Sequence, residues 1–123
     1  MPLIVRAFPL ISPVEGLRRF AEELNSRSPE TDAFYRKYGV THESWHVQKT
    51  PDGHHWVIGV AKIENPSEAG ARYAASSDSF DEWFKSRVLE LTGIDLNTTP
   101  LGPPTEQVFG WSDKSVARSD LCE

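Results

Sequence analysis

The sequence predicts one α+β domain in which a strand, a helix, two strands, a helix and a last strand follow one another. Three observations indicate this order. Two segments carry apolar residues at helical spacing, the turn Thr50-Pro51-Asp52-Gly53 separates two β-rich segments between them, and an apolar segment lies towards each end. The domain is expected to span residues 1–111, followed by a polar tail over residues 112–123.

The first half of the chain contains one predicted strand and two predicted helices. Residues 3–10 form an apolar run interrupted only by Arg6, which predicts the first strand. Ser12-Pro13-Val14-Glu15 combines an N-cap hydroxyl, a proline for the first helical position and a glutamate that suits a helix start, so the first helix is expected to begin there. A shorter helix is expected between Ser28 and Gly39.

The central hairpin is predicted to join strands over residues 41–49 and 54–63. Proline cannot donate the backbone hydrogen bond that a two-residue loop would require of it. We therefore expect a three-residue Pro-Asp-Gly loop in which Gly53 is left-handed and Thr50 lies opposite His54.

The segment after the hairpin completes the predicted domain. A short helical stretch begins at Asn65, and Ser79 with Glu82 forms a predicted capping box for a helix that ends at Gly93. Residues 105–111 are expected to form the fourth strand. The order βαββαβ is that of the split-βαβ, or ferredoxin-like, plan, in which helices cover one face of a four-stranded antiparallel sheet and leave the other face bare.

Composition and charge limit the classes of partner. With 123 residues, 38% of them hydrophobic, the chain suits a single globular core. The formal net charge of −5 opposes nucleic-acid binding, which requires clustered lysine and arginine. Cys122 is the only cysteine, so no intrachain disulfide is possible and a cytoplasmic location is expected. The sequence indicates neither a signal peptide nor a membrane span, so no membrane partner is expected.

The bare face of the sheet is expected to carry the candidate site. Side chains alternate along a strand, and Trp45 is expected to face the helices. The second strand then gives the open face Ser44, His46 and Gln48. With a three-residue loop, the third strand adds Trp56, Ile58 and Val60. With a two-residue loop, it would instead add His55, Val57 and Gly59.

The first strand is expected to contribute a cation to the same face. Leu3, Val5 and Ala7 form a wholly apolar set, which suits the side covered by helices. Arg6 is therefore predicted on the open face, together with Ile4 and Phe8.

This arrangement of elements and faces, over residues 3–111, resembles the dimeric α+β barrel proteins of the ferredoxin-like group. In that group two sheets pair through their open faces and enclose a pocket. The resemblance implies a homodimer and a small organic ligand. The group includes cofactor-independent monooxygenases, isomerases, polyketide cyclases and haem-degrading enzymes, and the fold alone does not choose among them.

His46 and Arg6 are the candidate catalytic residues. His46 could act as a general base or hydrogen-bond donor, because imidazole titrates near neutral pH; the alternative is an interface histidine held by hydrogen bonds. Arg6 could hold a carboxylate or enolate oxygen, or else form an ion pair at a dimer seam with an acid such as Glu106. Ser44 and Gln48 could orient a ligand, or could bind water or backbone instead.

Apolar residues would complete this site. Trp56 is expected to stack on the ligand and Ile58 to line the cavity beside it. No metal site within one chain is expected, because His54 and His55 point to opposite faces and the other histidine pairs lie too far apart along the strands. The alternative is a metal or haem held by one histidine from each subunit or by a single axial histidine. The sequence contains no glycine-rich phosphate-binding motif, and no cofactor is expected.

The sequence thus predicts a dimeric protein that binds a small organic molecule, with cofactor-independent proton transfer or oxygenation as its candidate activity. The alternative is a non-catalytic protein whose open sheet face is a dimer interface or a ligand-sensing surface.

Overall fold

The computed structural model describes residues 2–99 and 105–113 of the chain. In chain order its elements are β1 (Leu3–Pro9), α1 (Val14–Ser26), α2 (Ser28–Lys37), β2 (Val40–Lys49), β3 (His55–Ile63), α3 (Pro66–Ala75) and α4 (Ser79–Thr92). Within the described ranges, none of the helices combines the length and apolar character needed to cross a bilayer.

The sheet has three strands, not four. Its order is β1-β3-β2, and both pairings are antiparallel, so β3 is the central strand. Residues 105–111 do not form a strand, and the prediction of a four-stranded ferredoxin-like sheet was wrong. Phe109 and Trp111 would share one face of such a strand, but both side chains are largely exposed. The segment therefore buries no apolar face against the domain, and strand pairing there gains no core contact.

The β2–β3 hairpin confirms the predicted three-residue loop. The backbone amide of Thr50 donates to the carbonyl oxygen of His54 at 2.8 Å, and the Gly53 amide donates to the Thr50 carbonyl at 2.9 Å. Gly53 has a φ of 88°, in the left-handed region that favours glycine. The register therefore places Gln48 opposite Trp56, as predicted.

The face assigned to β1 was wrong. Phe8 is buried in the core, and Arg6 alternates with it on the same side, facing the helices rather than the open face. Leu3, Val5 and Ala7 lie on the open face instead. Both sides of β1 carry apolar residues, so its alternation alone could not decide which side is buried.

An aromatic cluster joins the helices to the sheet. Phe34 of α2 stacks on Phe84 of α4 with ring centroids 4.9 Å apart, and Phe20 of α1 meets Phe84 edge-on at 5.1 Å. Phe20 also lies 5.5 Å from Trp45 of β2. Three helices are thus held against the sheet by large rings, which act as spacers as well as apolar contacts.

The helix starts agree with the sequence in part. The Asn65 side chain accepts a hydrogen bond from the Glu68 amide and caps α3, as predicted. The other two predicted caps were wrong: α1 starts after Pro13 and α4 after Asp78, in both cases without a side-chain cap. The Ser12 hydroxyl instead donates to the Glu90 carbonyl at 2.7 Å, tying the start of α1 to α4.

A buried carboxylate links α2 and α4. Asp81 has no exposed surface, and its Oδ2 accepts hydrogen bonds from the Tyr38 hydroxyl at 2.5 Å and the Lys37 ammonium at 3.0 Å. Burial favours the neutral acid, but hydrogen bonds from Ser76, Tyr38 and Lys37 outweigh it and lower the pKa of Asp81. The ionised form of Asp81 therefore contributes to the packing of α4 on α2.

We expect Asp81→Ala to lower the free energy of unfolding by about 2–4 kcal/mol, because it removes a buried carboxylate that accepts hydrogen bonds from Tyr38, Lys37 and Ser76. Asp78→Ala is the matched control, since Asp78 is exposed and accepts from the same Lys37 ammonium at 2.9 Å. The control should lose no more than about 1 kcal/mol. Urea unfolding at neutral pH measures both, and equal losses would contradict the assigned role of Asp81.

Candidate functional site

A cavity of about 620 Å³ lies between the sheet and the helices. It is on the opposite side of the sheet from the predicted site. Its lining is mainly aromatic and aliphatic, contributed by all three strands and by the four helices. A volume of this size suits a small organic ligand, since such sites commonly enclose about 300–1,000 Å³.

The cavity reaches down to the sheet because the central strand carries small side chains at this point. Gly59 and Ala61 of β3 face the helices, and a Cβ atom placed on Gly59 would meet no atom within 4 Å. In the register, Arg6 and Trp45 flank Gly59 on either side. Ala61 is flanked in the same way by Ile4 and Glu43. The small side chains of β3 thus leave space between an arginine on β1 and a glutamate on β2.

The mouth of the cavity lies between α3 and the loop after α4. Ser67, Gly70 and Ala71 on one side and residues 97–99 on the other both line the cavity and are exposed. The buried Lys85 side chain links the two sides of the mouth through hydrogen bonds.

Only 3% of the Lys85 side chain is exposed, and its three donors are all used. Its ammonium donates to the carbonyls of Ala74 and Ser76 at 3.3 and 2.8 Å and to the Asn97 side chain at 2.9 Å. Lys85 therefore fixes the end of α3 to the loop that forms the other side of the mouth.

Glu43 is the main titratable group of the cavity. Burial raises the pKa of its carboxyl group to about 7, while the hydrogen bond from Trp45 lowers it. That bond runs from the Trp45 indole nitrogen to Oε2 at 2.8 Å and fixes the orientation of the carboxyl group. Near neutral pH, Glu43 can therefore both accept and donate a proton.

Two phenols and a guanidinium add polar groups to the lining. Burial raises the pKa of Tyr35, and the nearby Glu43 raises it further. Burial also raises the pKa of Tyr73, so both hydroxyls are protonated donors at neutral pH. The Tyr73 hydroxyl is buried and has no hydrogen-bond partner among the described residues. Within the same ranges, Arg6 forms no ion pair. The cavity lining therefore includes a guanidinium and a phenol without partners among the described residues.

The structure separates the predicted site residues. His46, Ser44, Gln48, Trp56 and Ile58 share the open face, as predicted. There the Ser44 hydroxyl lies 3.1 Å from the Nε2 atoms of both His42 and His46. Arg6 lies on the other side of the sheet. The predicted pair of His46 and Arg6 is therefore not assembled, and the catalytic and binding roles proposed for the open-face residues stay predictions.

Sequence reasoning missed Glu43, Tyr35 and Tyr73. A signal for Glu43 was present, because it lies two residues before Trp45 on a strand and must share its helix-facing side. A carboxyl group on that side is expected to be desolvated. Tyr73 packs against the core, and its hydroxyl has no hydrogen-bond partner among the described residues.

Neither the arrangement of possible metal ligands nor the similarity to known proteins identifies a function. Over residues 2–99 and 105–113, no three histidine, cysteine or acidic side chains lie close enough together to hold a metal ion. Comparison with protein-family models, curated proteins and solved structures finds no match. The resemblance to the dimeric α+β barrel proteins therefore stays a prediction.

We expect the raised pKa of Glu43 to make stability fall with rising pH. The unfolded chain releases this proton near pH 4.5 and the folded chain near pH 7, so the folded state binds more protons between these values. The contribution of protonated Glu43 is fully present below pH 4.5 and is lost as pH rises through 7. The resulting loss in the free energy of unfolding amounts to roughly 3 kcal/mol.

Glu43→Gln removes this titration, because the amide stays neutral. As pH rises from 5 to about 8, the free energy of unfolding of the variant should increase relative to that of the native chain. Denaturant midpoints along a pH series measure this difference. Glu22→Gln, at an exposed position of α1, is the control. A native-minus-variant difference that does not change with pH would contradict the assigned pKa.

Proposed function

We propose that the protein binds a small, largely apolar organic molecule in the cavity between sheet and helices and catalyses proton transfer on it. The observation that carries this proposal is the placement of Glu43 and Arg6 on opposite sides of a floor formed by Gly59 and Ala61. A base and a cation are thereby presented to one ligand from two different strands.

The dimensions favour a ligand of one or two rings. Arg6 pairs with Gly59 and Glu43 pairs with Ala61, so they are separated by two strand spacings and by two residues along the strands, which places their Cα atoms about 12 Å apart. Rings such as those of Phe34, Trp45 and Phe84 line the space above the floor and favour a flat apolar body. A ligand lying over Gly59 could contact Arg6 at one end and Glu43 at the other.

The polar groups of the cavity favour a ligand with a carbonyl or an acidic oxygen. The Arg6 guanidinium and the Tyr73 hydroxyl are both donors without partners among the described residues. An unpaired buried donor is unfavourable by about 1–3 kcal/mol, so a ligand oxygen that accepts from Tyr73 would be selected over a purely apolar molecule.

Proton transfer follows from the same groups. The ionised carboxylate of Glu43 would accept a proton from a carbon next to a carbonyl group, and the C–H electron pair would move to the carbonyl oxygen as an enolate. Arg6 would stabilise that oxygen electrostatically. Glu43, now protonated, would return the proton to the same carbon or to a conjugated one. The step needs no oxidant, and its net result is exchange or isomerisation.

Filling the floor tests the binding part of the proposal. Gly59→Val places a β-branched residue where space is available, so the strand should form normally while the cavity loses volume. We expect the affinity for 1-anilinonaphthalene-8-sulfonate, a planar anionic probe, to fall at least about tenfold in fluorescence titrations. Such a loss corresponds to about 1.4 kcal/mol.

Ala7→Val is the matched control, because Ala7 is a small residue of the same sheet that faces the open side. It should leave the affinity for the probe unchanged. Equal affinity of the native chain and Gly59→Val would show that the cavity is not the binding site.

Deuterium exchange tests the catalytic part. With 2-tetralone as a bicyclic ketone probe in D₂O, proton NMR should show faster exchange of the hydrogens next to the carbonyl when the native protein is present. Glu43→Gln should slow the catalysed exchange by about 10²- to 10⁴-fold, the usual contribution of a general base. The affinity for the ketone should change little.

Glu22→Gln again serves as control and should exchange at the native rate. If the native protein binds the ketone but gives only the buffer rate, the protein is a binding protein for this class of molecule, and proton transfer is rejected.

A further inference from the structure

The C-terminal arm, residues 105–113, exposes an unusual amount of apolar surface. Val108, Phe109 and Trp111 are 85%, 81% and 77% exposed. Single exposed apolar residues are ordinary, but three large ones within four positions of a segment without regular structure form a contiguous apolar patch. Such a segment is typical of a sequence that packs against another surface.

No helix covers the open face of the sheet in the part of the chain that the structure describes. All four described helices lie on the other side, where they enclose the cavity. Leu3 and Trp56 at its margins are 48% and 39% exposed, and Val5, Ile58 and Val60 lie between them, partly exposed. This apolar band crosses the sheet from β1 to β3.

The arm and the open face carry complementary charges. The arm contains Glu106 and Asp113 and no basic residue. Lys62 is the one charged side chain among the described strand residues of the open face, which include no acid. Although only 5% of Lys62 is exposed, its ammonium nitrogen has no hydrogen-bond partner among the described residues. The face therefore favours an acidic partner segment with apolar anchors.

The arm starts beside this face but does not cover it in its own chain. The Thr105 hydroxyl donates to the Val5 carbonyl at 2.5 Å, which places the start of the arm at the free edge of β1. Beyond that point its three large side chains stay exposed. Two copies related by a twofold axis would place each arm over the open face of the other, and the same contact would then cover both arms and both faces.

We propose that the protein forms a homodimer in which the C-terminal arm of each chain packs on the open sheet face of its partner. Phe109 and Trp111 are the apolar anchors. A buried aromatic side chain removes about 150–250 Å² from water, so the two anchors of each arm and the faces beneath both arms would bury on the order of 1,200–2,000 Å² in total. That area lies within the range of stable specific interfaces, about 1,200–2,000 Å².

Sedimentation equilibrium of the full chain between 1 and 100 µM tests the proposal. The native chain should be a dimer, and Phe109→Ser/Trp111→Ser should raise the dimer dissociation constant at least about 100-fold. Both side chains are exposed in the single chain, so the double variant should keep the native circular dichroism spectrum. The control is Leu89→Ser, which removes an apolar side chain 47% exposed on α4 and should leave the dimer intact.

Photocrosslinking identifies the chain on which the arm lies. Trp111 is replaced by p-benzoylphenylalanine, and equal amounts of ¹⁴N- and ¹⁵N-labelled chains are mixed before irradiation. Mixed-isotope crosslinks between the arm and peptides of β2 or β3 support the proposal.

Two outcomes overturn it. One is a native chain that stays monomeric at every concentration, whether or not the arm crosslinks within that chain. The other is a native dimer that the double variant leaves equally stable. Neither outcome tests the proposal that the cavity binds a ligand, because that proposal is tested separately by the affinity of Gly59→Val for the fluorescent probe.

Discussion

The structure depends on a contrast in side-chain size between the central strand and the helices above it. Gly59 and Ala61 leave the middle of β3 with almost no bulk on its helix-facing side, whereas the rings of Phe20, Phe34 and Phe84 hold α1, α2 and α4 away from the sheet. Helices spaced by such rings cannot collapse onto a glycine. A void that would normally be unfavourable thus becomes a preformed cavity, supported by an aromatic cluster that is itself well packed.

Two buried carboxyl groups have different roles, one in stability and the other in the proposed function. Asp81 is fully buried, accepts hydrogen bonds from Tyr38 and Lys37, and stays ionised. Among the described residues, Glu43 accepts one hydrogen bond, from the Trp45 indole, and burial raises its pKa to about 7. The hydrogen bonds to Asp81 stabilise the contact between α2 and α4. Glu43 is instead a carboxyl group that titrates near neutral pH beside a cavity, which is the environment of a general base.

Local chemistry allowed much of the fold to be predicted from the sequence, and the failures have identifiable physical causes. The turn at residues 50–53 determined the hairpin register, because proline and left-handed glycine permit few loops. Arg6 was misplaced because both faces of β1 are apolar. The fourth strand was wrong because residues 105–111 bury no apolar face against the domain. Alternation from Trp45 was sufficient to find Glu43, but the cavity itself depends on how far the helices stand from the sheet, which periodicity does not report.

The most direct test of the account is to locate a bound aromatic probe by NMR in protein with ¹³C-labelled alanine methyl groups. Ala61 lies on the cavity floor and Ala69 on its helical wall, whereas Ala7 faces the open side of the sheet. With naphthalene-1-sulfonate as the probe, the account predicts intermolecular nuclear Overhauser effects to the methyl groups of Ala61 and Ala69 and none to Ala7. Effects to Ala7 alone would place the ligand on the open face and contradict the assignment of the site to the cavity.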